Sequence, residues 1–98
     1  MGFQRYWTEC FGGGCPAAGT YQNGAYWATP MTYFVTAMVS TGHTDFAKEI
    51  VGECIADFKA HGIYEDVDYG TPATSHGVLN YTASATNVLW AANFLAAM

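Results

Sequence analysis

Positive charge is almost missing from this chain. Arg5, Lys48 and Lys59 stand against eight Asp and Glu residues, for a net charge of −5. No basic patch is available to displace phosphate counterions, so nucleic acid is excluded as a partner. An anionic membrane surface is disfavoured for the same reason. Charge of either sign is scarce, at 11% of residues, where about a quarter is usual. No apolar run approaches the roughly 18 residues of a membrane span. The opening "MGFQRYWTEC" lacks the apolar stretch of a secretory signal. A cytoplasmic location is the default expectation, with no membrane partner.

Metal and nucleotide chemistry are poorly provided for as well. There is no CxxC, and His43, His61 and His76 do not have zinc-ligand spacing. "EDVD" at 65–68 gathers acids but lacks the glycine and spacing of an EF-hand. "FGGGCP" has no lysine to complete a phosphate-binding loop. Ser75, His76 and Asp68 have no GxSxG to make them a triad. No cofactor is expected. Of the three cysteines, Cys10 and Cys15 flank "FGGG" and either close a small loop or remain free thiols. Cys54 falls on the apolar face of a predicted helix and reads as core.

What the chain has in plenty is apolar surface, 51% of its residues. Its length fits one domain. Residues 1–29 read as an irregular segment rich in glycine and aromatics. Thr29 and Pro30 predict a helix start, since proline at the first helical position gives up an N–H that has no partner there anyway. "PMTYFVTAMVST" follows and stops at Gly42, with apolar residues nearly all the way round. Such a helix is expected to be buried on every side. After a two-residue turn, "DFAKEIVGECIADFKAH" puts Phe46, Ile50, Val51, Cys54, Ile55 and Phe58 on one stripe. Lys48, Glu49, Asp57 and Lys59 take the other side. Residues 30–61 are thus predicted to form a helical hairpin with one inner and one outer member.

From 62 to 81, "GIYEDVDYGTPATSHGVLNY" shows no surviving period. Long loops of this kind in compact domains are usually functional. Residues 82–98, "TASATNVLWAANFLAAM", read as a second inner helix, apolar on most sides. Two such helices and one amphipathic partner cannot bury one another. At roughly 1.5–3 kcal/mol for each large side chain left wet, the chain is expected to need the rest of a larger protein, or copies of itself.

The order of inner helix, outer helix, acidic-aromatic loop and inner helix resembles the C-terminal part of a six-hairpin α/α toroid glycoside hydrolase. "QNGAYW" before a proline-started helix is similar to a segment of debranching-type and processing glucosidases. "GIYEDVDYGTPATSHGVLNYTASATNVLWA" resembles their last active-site loop, and α-L-rhamnosidases have a similar one. The fold this implies is all-α: antiparallel helical hairpins, a single partial domain over residues 1–98.

The function it implies is that of a carbohydrate-active protein with a saccharide ligand. Glu65 matches the loop glutamate that serves as general base of an inverting hydrolase. There, one carboxylate activates water while a second carboxylic acid protonates the leaving oxygen. Tyr26, Trp27, Tyr64 and Tyr69 would offer ring faces to sugar C–H groups, and Gln22, Asn23 and His76 would bind hydroxyls.

Each residue has a plainer reading. Glu65 can be a solvated loop acid, with Asp66 and Asp68 as rival carboxylates. Tyr26 and Trp27 can plug the top of the core, and Asn23-Gly24 can be only a tight turn. No hairpin precedes residue 30, and Glu9 is the only acid upstream of it. No general acid is identified, and hydrolysis by the chain alone is not expected. The alternative is a helical self-association or partner-binding module without catalysis.

Overall fold

Three helices carry the core. The computed structural model describes residues 3–4, 25–68 and 74–98. The helices are α1 (Met31–Ser40), α2 (Thr44–His61) and α3 (Thr82–Ala96), and each packs on the other two. Buried Met31 and Val35 of α1 meet Ala47, Val51 and Cys54 of α2 and Val88, Ala91 and Leu95 of α3. Within each helix these residues are spaced three or four apart, so they form one stripe per helix. The alanines keep the axes close, and Phe34, Met38, Ile50, Ile55, Phe58 and Phe94 close the margins half-buried. A polar link crosses the seam: Thr32 Oγ1 donates to Asn87 Oδ1 at 3.1 Å, while Asn87 Nδ2 donates to the Ala83 carbonyl.

The helix ends follow backbone chemistry. Pro30 is the N-cap of α1, one position earlier than predicted in the helix frame, and Thr29 does not cap it. At the other end the His43 N–H reaches the Met38 carbonyl at 2.7 Å, and the Gly42 N–H reaches the Val39 carbonyl at 3.2 Å. Gly42 has φ +84°. This is a Schellman ending, and it makes the turn into α2 possible, which takes three residues, 41–43, and not the two expected. His43 is the N-cap of α2. Asp45 and His61 stand at the ends that the helix dipole favours, and Gly62 terminates α2.

The all-α expectation is overturned. An antiparallel sheet accompanies the helices, with strands β1 (Phe3–Gln4), β2 (Tyr26–Trp27), β3 (Tyr64–Asp68) and β4 (Thr74–Leu79) in that order. Residues 62–81, expected as an active-site loop, hold the β3–β4 hairpin, and the segment expected to be irregular supplies β1 and β2. The chain is therefore a small mixed α/β fold and not a set of helical hairpins. Two features hid the hairpin from its sequence. The inward position of β3 is filled by an acid, Asp66, so no apolar alternation marks it. A bulge then interrupts the period of β4.

The two helices expected to be buried all round are not. Tyr33 is 81% exposed, Leu89 63% and Trp90 45%. The outer side of α1 is instead dressed with hydroxyls bonded to its own backbone: Thr36 to the Thr32 carbonyl and Ser40 to the Thr36 carbonyl, both at 2.8 Å. On α3, Trp90 covers itself against Phe94, ring on ring at 5.1 Å. Phe46, placed on the inner stripe of α2 by sequence, is largely exposed and meets Phe34 edge to face at 5.9 Å.

Met31 is fully buried, and Met31→Ala is expected to cost about 2–5 kcal/mol in urea unfolding. Tyr33→Ala, two residues on, is expected to stay within about 0.5 kcal/mol. Equal losses from the two would contradict this packing.

Candidate functional site

β3 touches α3, and the sheet and the C-terminal half of α2 face a common space. Between them lies a cavity of about 20 Å³, lined by Tyr26, Trp27 and Ala28 from and after β2, by Cys54, Asp57 and Phe58 from α2, and by residues 64–67 of β3. Tyr26 sits opposite Val67 in the sheet, and that pairing brings the two strand segments to one place. Such a volume holds about one water molecule. It is far too small for a sugar ring.

Four of the sequence-derived candidates, Tyr26, Trp27, Tyr64 and Glu65, come together around this cavity, all half-buried. His76 is represented by its backbone position in β4, opposite Asp66. Gln22, Asn23 and Tyr69 lie outside the described residues, as do Cys10 and Cys15.

Glu65 is not a freely solvated loop acid. Tyr64 pairs with Leu79 and Asp66 with His76, so Glu65 faces both Gly77 and Val78. That extra residue is a β-bulge on β4, and Gly77 has the left-handed φ of +80° found in one common bulge type. The Val78 N–H at the bulge donates to Glu65 Oε2 at 3.3 Å, at the long end of hydrogen-bond range.

Two polar lining residues, Cys54 and Asp57, were not singled out from sequence as part of a site, whereas Asp66 was, as a rival to Glu65. Asp66 is only 2% exposed, which makes it the most buried carboxylate among the described residues. Cys54 is buried, as its place on the apolar stripe predicted. Asp57 was placed on the solvated side of α2, yet its side chain is 10% exposed and lies 3.1 Å from His61 Nδ1, one turn along. The signal for Asp57 was available in its spacing: it follows buried Cys54 by three residues and so shares its face. Among the described residues, no group of three or more His, Cys, Asp or Glu is placed to hold a metal ion. No described helix is long and apolar enough to cross a membrane.

No family model, no curated protein and no solved structure matches the chain.

The burial of Cys54 makes it a reporter. In a chain with Cys10→Ser and Cys15→Ser, Cys54 is expected to react with a thiol reagent many-fold more slowly than a free thiol, and to speed up as urea opens the fold. Prompt reaction in native buffer would mean that Cys54 is not buried as described.

Proposed function

We propose that this is a carbohydrate-active protein whose saccharide lies across the mouth of the α2–sheet cavity. The carrying observation is convergence: Tyr26 and Trp27 from one segment and Tyr64 and Glu65 from another meet at a single cavity. Aromatic rings beside a carboxylate provide what sugar recognition needs, namely flat faces for C–H groups and a strong acceptor for hydroxyls.

The resemblance of 22–27 and 62–91 to debranching-type and processing glucosidases supports the same reading. It makes Glu65 the candidate general base of an inverting hydrolase. Space for one water beside such a base suits the mechanism, because the nucleophile in inversion is a water held by that carboxylate. Asp66, buried in the same wall, is the rival for that role.

A second reading rests on the helices. Neither α1 nor α3 carries a charged residue, whereas the chain as a whole is at −5. Two copies meeting through Tyr33, Leu89 and Trp90 would bring no like charges together. On this reading the chain is a self-associating helical module without catalysis.

Calorimetric titration with neutral oligosaccharides, with light scattering alongside, separates these readings. Under the first, a saccharide binds, Trp27→Ala abolishes binding, and Glu65→Gln leaves binding in place. If hydrolysis with anomeric inversion is also seen, Glu65→Gln is expected to abolish it. A dimer that binds no saccharide, tolerates both changes and dissociates with Trp90→Ser would establish the second reading instead.

A further inference from the structure

A glutamate on a strand ordinarily points its carboxylate into solvent, with no fixed direction. Glu65 does not have that freedom. Its side chain folds over the β4 bulge, where a Cβ built on Gly77 would lie 2.6 Å from Glu65 Oε2 and 2.7 Å from Glu65 Cβ. The same Cβ would lie 3.1 Å from Asp66 Oδ1. The Oε2 contact alone could be relieved by a rotation at the tip of a flexible chain. The contact with Glu65 Cβ could not, because that atom is fixed to the β3 backbone. Any side chain at 77 would therefore push the strands apart or undo the bulge. The φ of +80° at Gly77 adds strain for any L-residue.

We propose that Gly77 is a positioning residue for the Glu65 carboxylate. Its missing side chain makes room for the carboxylate over the bulge, and the bulge turns the Val78 N–H toward Oε2. One oxygen is thereby held by the backbone. Among the described residues, Oε1 accepts no hydrogen bond, which leaves it to take one from a ligand hydroxyl or a water. This last step rests on the saccharide reading; the positioning itself does not. A purely structural bulge, one that only blunts an edge strand against pairing with other chains, needs no tie to a carboxylate.

The test is a pH titration by NMR that follows the Val78 amide and the Glu65 side-chain carboxyl carbon together. In the unaltered chain the Val78 amide shift is expected to move with the ionisation of Glu65. Glu65→Gln should remove that movement and leave only what neighbouring Asp66 contributes. Gly77→Ala should uncouple Val78 from Glu65 while amides on the three helices keep their shifts. Should Gly77→Ala fail to fold, Gly77→Asn brings the same Cβ on a residue that tolerates the left-handed region.

Maltotriose, titrated into the same samples, reads the functional consequence. For Gly77→Ala, which misplaces the carboxylate, its affinity is expected to fall about tenfold, the loss of one hydrogen bond to a charged group, whereas Glu65→Gln keeps an acceptor and keeps binding. Coupling without any maltotriose binding to the unaltered chain would uphold the positioning role and count against a glucosyl ligand. A Val78 amide that ignores Glu65, or one that still follows it undiminished in a folded Gly77 variant, would overturn the proposal.

Discussion

The saccharide wall proposed for this chain depends on the pairing of Tyr26 with Val67. The two segments it joins are far apart in sequence, separated by the whole α1–α2 hairpin. Without that contact, the aromatic pair at 26–27 and the acidic strand at 64–68 would have no common surface. The pairing is short, because β2 is only two residues long. A two-residue strand supplies little by itself. Cys54, Asp57 and Phe58 of α2 line the same cavity as both strands.

The helices meet a second constraint, an excess of apolar residues on a small body. The buried core is modest and includes Ala28, Ala47 and Ala91. Small residues let the helices approach closely but contribute little burial each. Larger residues therefore gather at the margins, and some remain outside: Tyr33, Leu89 and Trp90. Charge is sorted in the opposite sense. α2 carries Asp45, Lys48, Glu49, Glu53, Asp57 and Lys59, while α1 and α3 carry none. One side of the molecule is solvated by its charges and another is left plain, which is why association remains a serious second reading.

The helices were legible in the sequence because their signals are local. Gly42 and Gly62 stop α1 and α2 where left-handed backbone is needed, and the stripe of Val51, Cys54 and Phe58 repeats at helical spacing. The degree of burial was not legible. An all-round apolar helix looks internal, but whether anything covers its far side is decided by partners the pattern does not contain. The sheet was missed for a different reason. Strands are recognised by alternation, and β3 puts Asp66 at its inward position, while the Gly77 bulge shifts the phase of β4. Those same irregularities give the site its character. The loop reading thus had the fold wrong yet drew attention to residues that do share a cavity. Asp57 escaped notice because an acid in sequence is first taken for a solvated one, and Asp66 was weighed only as a rival to Glu65.

The most direct test of a saccharide wall is to ask which rings a bound sugar touches. Nuclear Overhauser contacts between maltotriose ring protons and the aromatic protons of the chain would answer it. The account predicts contacts to Tyr26, Trp27 and Tyr64, the three rings that the sheet brings to the α2–sheet cavity. Contacts confined to Trp90 and Tyr33 on the outer faces of α3 and α1, with none to those three rings, would contradict it.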